Sequence, residues 1–133
     1  MLYKLYSKLI SAFCYYSNIL SRFKLCSGFK FEERTRTACA TIQNDLIKFI
    51  SGHEHKNKTF EECKFECEKY KWCRGIGVKK DSSKFCRLLS NDSTPLDGWT
   101  YKNPGNWAEP KDWKETRIYE SYQCLEKVEI STL

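Results

Sequence analysis

The chain has 133 residues, of which 15% are aromatic and 30% are charged. This length suits one domain with a modest core, and the composition excludes a disordered chain. Five of the 23 basic residues, but no acidic residue, lie in residues 1–31, so that residues 32–133 hold 18 basic and 17 acidic side chains. Because the net charge of +6 belongs mainly to the first segment, we expect no nucleic-acid partner.

Residues 1–31 have the order of a secretory signal. Basic residues come first, an apolar stretch covers residues 9–20, and Ser27 and Gly28 offer a cleavage site. Polar residues interrupt the apolar stretch, so an atypical N-terminus and a basic organelle presequence remain alternatives. No apolar run reaches the roughly 18 residues of a membrane-spanning helix, and we expect no transmembrane segment.

Cleavage near Ser27 would remove Cys14 and Cys26 and leave an even number of cysteines, whereas a retained Cys26 would allow an oligomer linked through it. The remaining cysteines are unevenly spaced: Cys39, Cys63, Cys67, Cys73, Cys86 and Cys124. Such a pattern is typical of disulfide-stabilised modules in oxidising compartments, so we predict a secreted protein. The predicted domain covers residues 32–133, with a core over 39–124.

The segment before residue 59 is rich in Gly, Glu, Lys and Asn, which predicts an exposed loop with solvated His53 and His55. A zinc site that combines these histidines with Cys63 and Cys67 is an alternative. No Cys-x2-Cys spacing is present, so we expect no metal and no other cofactor.

Thr59 and Glu62 form a capping-box pattern, which predicts a helix from Phe60 to about Lys71. The helical spacing places a stripe of side chains on one face and predicts that it packs on the core: Phe60, Cys63, Cys67 and Tyr70. Residues 74–78 and 84–89, separated by the polar turn 81–83, predict a β-hairpin after the helix.

Five basic residues of this hairpin are candidates for binding anionic glycans: Arg74, Lys79, Lys80, Lys84 and Arg87. Solvated lysines that protect a sheet edge are the competing interpretation. Further along the chain, a long connection before a predicted strand near residues 118–124 carries four large aromatic residues: Trp99, Tyr101, Trp107 and Trp113. These rings are candidates for binding a sugar or a protein, although we expect most of them to cover the sheet.

Two sequons, at Asn57 and Asn91, are glycosylation candidates in predicted turns. Neither the two histidines nor the scattered carboxylates form a recognisable nucleophile-and-base arrangement, and no complete phosphate-binding loop is present. We therefore expect a binding protein without catalytic residues.

The order of motifs resembles the PAN/apple domain family over residues 39–124. The resemblance depends on the capped Cys-x3-Cys helix at Thr59–Cys67, on Cys73-Arg74-Gly75, on Cys86-Arg87-Leu88 and on the final Cys124. It implies an α+β fold in which an antiparallel sheet of about five strands cradles one α-helix.

Six cysteines allow 15 pairings, so the expected pairing depends on the resemblance and on a helix lying over the hairpin: Cys39–Cys124, Cys63–Cys86 and Cys67–Cys73. The resemblance further implies an extracellular recognition module that binds proteins or carbohydrates without catalysis. A structural or assembly domain of a larger extracellular protein is the alternative function.

Overall fold

The computed structural model describes residues 26–81 and 83–132. The chain divides into two compact units, and the unit Phe31–Lys127 contains every site discussed below. The predicted leader, residues 1–31, lies outside the described residues except for 26–31, which begin the first strand. The predicted roles of Cys14 and of the Cys26 side chain also lie outside them.

The described residues form an α+β fold, as predicted. Its elements are β1 (Cys26–Thr35), β2 (Ala40–Gln43), β3 (Leu46–Phe49), β4 (Gly52–His55), α1 (Phe60–Lys69), β5 (Gly75–Lys79), β6 (Cys86–Leu89), β7 (Thr100–Lys102), a 3-10 turn (Pro110–Asp112) and β8 (Tyr122–Thr132). Six strands form an antiparallel sheet in the order β1-β8-β5-β6-β4-β7, and β2 pairs with β3 in a separate hairpin. The sheet therefore has one strand more than the approximately five that were expected.

Helix α1 begins where the capping box predicts. The Thr59 hydroxyl accepts from the Glu62 amide at 3.2 Å, and the Glu62 carboxylate accepts from the Thr59 amide at 2.9 Å. The helix ends at Lys69, two residues before the predicted end, because Tyr70 adopts extended backbone angles. The Lys127 ammonium donates to the carbonyls of Cys67 and Tyr70 and satisfies this helix end, and its burial lowers the pKa of Lys127.

The strand register sorts side chains onto the two faces of the sheet. Gly77 of β5 lies opposite Arg87 of β6, which lies opposite Glu54 of β4, and Gly77 also lies opposite Cys124 of β8. Directly opposite residues project to the same face, so these four share one face. The neighbouring Ile76 projects to the other face, where it packs in a cluster with the helix cysteines.

Each face of the sheet has its own buried cluster. On the helix face, the cluster contains Ile76, Val78, Leu88 and Leu125 together with the cysteines of two bridges, Cys63–Cys86 and Cys67–Cys73. On the opposite face, Ile50, Leu89 and Trp113 surround the Cys39–Cys124 bridge. These three bridges are the same pairs that the resemblance implied.

Three local predictions were wrong. Phe60 is 42% exposed beneath the Lys64 ammonium and does not share the buried face of Cys63 and Cys67. The predicted strand near residues 118–124 begins only at Tyr122. The segment predicted as an exposed loop contains β4, which lies between β6 and β7 in the sheet.

Candidate functional site

A cavity of about 580 Å³ opens on the face of the sheet opposite α1, and we call it the sheet pocket. It is lined by Ala38, Cys39, Phe49, Glu54, Lys56, Gly77, Lys79, Lys84, Phe85, Arg87, Asn103, Tyr119 and Tyr122. These residues come from strands β3 to β6 and their ends, from the segment before β2, from the residue after β7, and from the start of β8 with the turn that leads into it. The volume lies in the range of ligand pockets in proteins.

The floor of the sheet pocket is an ion pair beside a glycine. An Arg87 guanidinium nitrogen donates to a Glu54 carboxylate oxygen at 2.5 Å, and the exposed fractions of the two side chains are 18% and 9%. Arg87 also donates to the Ile50 carbonyl at 3.4 Å, whereas its buried Nε has no partner among the described residues. Gly77, directly opposite Arg87 in the sheet, contributes no side chain and leaves space above the strand. Arg87 consequently holds the Glu54 side chain in place at the base of the cavity.

Three lysines line the sheet pocket: Lys56 follows β4, Lys79 ends β5 and Lys84 precedes β6. Within residues 26–81 and 83–132, none of these three lysines has a carboxylate oxygen within 4.0 Å, because the salt bridges there involve other basic side chains. Hydrogen bonds from Ser83 occupy the nearby turn residue Asp81 and hold the pKa of its carboxyl below the ordinary value. The described residues that line the cavity therefore carry a net positive charge.

Aromatic rings line the pocket beside the lysines. Phe85 and Tyr122 meet edge to face with ring centroids 5.0 Å apart, and the Lys79 ammonium lies 5.9 and 5.5 Å from their centroids. Tyr119 contacts Tyr122 at 5.7 Å and Phe49 at 5.3 Å, and it is 54% exposed. Its φ of 58° lies in the left-handed region, which strains a residue with a bulky side chain.

The structure separates the five basic residues of the predicted glycan-binding hairpin. Lys79, Lys84 and Arg87 line the sheet pocket, whereas Arg74 pairs with Glu109 at 3.0 Å and Lys80 lines a different depression. Arg87 is also committed to its ion pair with Glu54. Of the five basic residues of the hairpin, only Lys79 and Lys84 therefore line the pocket without a carboxylate partner.

Sequence reasoning missed Glu54, Lys56, Tyr119 and Tyr122. Lys56 could have been found only by recognising β4, because a strand beside β6 brings its end next to Lys84. Gly52, His53 and Glu54 are all buried, so β4 has no alternation of apolar and polar residues by which the sequence could show it. No local pattern pointed to the turn residue Tyr119.

The aromatic connection mostly covers the protein core, as expected. Trp113 is 4% exposed, so its assignment as a ligand-binding candidate was wrong, and its indole nitrogen donates to the Ala108 carbonyl at 2.8 Å. Trp107 packs against it with ring centroids 6.2 Å apart. Trp99 contacts the His55 ring, and the Tyr101 hydroxyl donates to the Ser90 carbonyl. None of these four rings lines the sheet pocket.

The two histidines are not solvated loop residues. His53 is 1% exposed, its ring packs against Trp72 and Tyr101, and its Nε2 lies 2.7 Å from the Asp92 carbonyl oxygen. His55 is partly buried against Trp99. Both are fixed by β4, which belongs to the sheet.

The described residues contain no group of three or more His, Cys, Asp or Glu side chains placed to hold a metal ion. The cysteines of the zinc alternative, Cys63 and Cys67, are joined in disulfides to Cys86 and Cys73. The sequon residues Asn57 and Asn91 are both exposed. No helix within residues 26–81 and 83–132 has both the length and the apolar character needed to cross a membrane.

The fold defines a small disulfide-rich α+β module with an electropositive, aromatic pocket on one sheet face. Comparisons with models of protein families, with curated proteins and with solved structures found no match for this chain.

Proposed function

We propose that this protein is a secreted, non-catalytic recognition module of the PAN/apple type, and that it binds acidic glycans in the sheet pocket. Three disulfides and a capped helix on an antiparallel sheet support the type of module. The observation that carries the ligand proposal is the convergence of Lys56, Lys79 and Lys84 with aromatic rings in one cavity.

The three lysines favour an anionic ligand for an electrostatic reason. Like charges that share a cavity repel one another and oppose compact folding unless an anion offsets them. Among the described residues, the carboxylate of the lining, Glu54, is already paired with Arg87, and the three lysines have no carboxylate within 4.0 Å. A sugar that carries a carboxylate or a sulfate would supply a negative charge next to the lysines, and its ring would stack on one of the tyrosines of the pocket.

The proposal includes no chemical turnover. Among the residues that the structure describes, the lining of the pocket includes no histidine, and Cys39 is in a disulfide. Glu54 is engaged by Arg87 at 2.5 Å, which disfavours a role as a general base.

The test compares two triple variants of equal charge. K56A/K79A/K84A removes the lysines of the pocket, and K71A/K80A/K111A removes three exposed lysines that do not line it. Exposed ion pairs contribute about 0.2–1 kcal/mol each, so the pocket variant should bind heparin about tenfold more weakly than wild type. The control variant should elute from a heparin column close to wild type, with thermal unfolding reporting that both variants are folded. Equal losses in the two variants would refute the pocket as the binding site.

A second candidate function, assembly of several chains, is favoured by exposed apolar residues on the β2–β3 hairpin and in the segment before β8. Ile42 is 49% exposed and Ile118 is 45% exposed, and both line one depression. If this surface joins copies of the chain, size-exclusion light scattering will show an oligomer that I42S/I118S reduces to a monomer. A monomeric wild type at high concentration would refute this candidate.

A further inference from the structure

The basic residues around the sheet pocket form a compact cluster and not a continuous track. Arg74 immediately precedes β5 and pairs with Glu109, and Lys80 lines a second depression, which Glu120 also lines. A long sulfated chain is recognised by cations that follow its backbone over several units. Here the lysines without carboxylate partners that line the cavity, Lys56, Lys79 and Lys84, meet around one volume of about 580 Å³.

The pocket also presents three different chemical groups. The lysine ammonium groups attract an anion, whereas the Glu54 carboxylate, which is paired with Arg87, accepts hydrogen bonds from hydroxyl groups. The rings of Tyr119 and Tyr122 offer apolar faces near the opening. A ligand that satisfies all three groups has one anionic substituent, several hydroxyls and an apolar ring face.

We infer that the pocket recognises a single terminal sugar ring that carries one carboxylate or one sulfate; this inference rests on the proposed function. The lysines hold the anionic substituent, Glu54 accepts from ring hydroxyls, and a tyrosine ring stacks on the sugar. Recognition is directed at the end of a glycan and not at the length of a sulfated chain.

The backbone at Tyr119 supports a role in binding. Its φ of 58° is a conformation that glycine and asparagine adopt more readily than tyrosine, yet the chain places a half-exposed aromatic ring there. Strained residues of this kind cluster at ligand-binding sites. We assign Tyr119 as the residue whose ring stacks on the sugar at the rim of the pocket.

The first experiment measures how affinity depends on chain length. Isotope-labelled protein is titrated with methyl glucuronide, with the methyl glycoside of N-acetylneuraminic acid, with sulfated and neutral methyl glucosides, with inorganic sulfate, and with heparin fragments of two to six sugars. An acidic monosaccharide should shift the amide signals of Gly77 and Lys79, and neutral glucoside and sulfate should not. Heparin fragments should bind no more than about threefold tighter as they lengthen, since only one ring enters the pocket.

Three results would overturn the inference. Affinity that rises more than about tenfold with fragment length, without binding of a monosaccharide, would refute terminal recognition and leave the proposed function standing. Sulfate that binds as tightly as the sugars would show that neither Glu54 nor the rings contribute. If no acidic sugar and no heparin fragment shifts the amide signals of Gly77 and Lys79, the proposed function is refuted together with the inference.

The second experiment separates the Tyr119 ring from the fold. Asparagine tolerates the left-handed conformation, so Y119N should unfold no earlier than wild type while its affinity for the acidic monosaccharide falls about fivefold. Y119F keeps the ring and should bind within about twofold of wild type. Binding by Y119N at the wild-type affinity would refute the assignment.

Discussion

Two glycines of β5, Gly75 and Gly77, give a matched pair of substitutions with opposite expected effects on stability. Both project to the face of the sheet opposite α1, and neither has a positive φ. A Cβ atom at Gly75 would lie 2.4 Å from the Leu125 carbonyl oxygen and 2.9 Å from the Trp113 ring. A Cβ atom at Gly77 would lie 3.5 Å from the Cys39 sulfur, which is an ordinary van der Waals distance.

The magnitudes follow from these distances. In G75A, either the pairing of β5 with β8 or the buried Trp113 must move, and such overpacking costs about 1–3 kcal/mol. In G77A, the methyl group fits, and the reduced freedom of the unfolded chain stabilises by about 0.4–1 kcal/mol. Because both variants share the reduced freedom of the unfolded chain, their unfolding free energies should differ by the overpacking cost, about 2 kcal/mol, which corresponds to roughly 7 °C in Tm for a chain of this size.

Urea unfolding followed by tryptophan fluorescence, with the disulfides oxidised, measures this difference. G77A also places a methyl group on the floor of the sheet pocket, so it should weaken binding of the acidic monosaccharide in a fully folded protein. Equal unfolding midpoints for G75A and G77A would refute the prediction that a methyl group clashes at Gly75 and fits at Gly77.

Two further predictions concern the helix cap and the longest disulfide. T59A should lower the unfolding free energy by about 1 kcal/mol through loss of the cap. Hydrogen bonds from Thr59 also lower the pKa of Glu62 below its ordinary value of 4.5 in the folded protein. The stabilising contribution of the Glu62 carboxylate is therefore complete above pH 4.5 and is lost as the pH falls through the lower pKa of the folded state. Chemical denaturation at several pH values should show E62Q less stable than wild type at neutral pH and equal to it in strong acid, and a constant difference would contradict this. In the chain-entropy model, C39A/C124A should lower the unfolding free energy by about 4.5 kcal/mol, because that bridge spans 85 residues. C67A/C73A should lower it by only about 2 kcal/mol, because its bridge spans 6 residues. Equal decreases in chemical denaturation would argue against an entropic origin.

Local features of the sequence determined the helix and the hairpin after it. The capping box at Thr59 and Glu62 fixed where α1 begins, because its hydrogen bonds join residues only three positions apart. The spacing of Cys63 and Cys67 placed both on the buried side of α1. Such features can be predicted without tertiary information because the residues involved lie within one or two helical turns of each other.

The same local rules failed for Gly52–His55, because polar residues were taken as evidence of a loop. In the folded protein, Glu54 is 9% exposed because Arg87 neutralises it, and His53 is 1% exposed because the Asp92 carbonyl and two aromatic rings surround it. A buried polar side chain is stable only where a partner compensates it. Arg87 and Asp92 lie more than 30 residues away in the chain from Glu54 and His53, where no periodic pattern can reveal them.

The sequence by itself determined a disulfide-rich α+β module, its capped helix and the strands that follow, since these depend on short-range spacing. Only the tertiary structure decided which charged residues act together. The ladder β4–β6–β5–β8 brings Lys56, Lys79 and Lys84 around one cavity, closes its floor with Glu54 and Arg87, and directs Arg74 to Glu109 instead. Cross-strand register sets these distances, and it depends on the packing of the whole sheet.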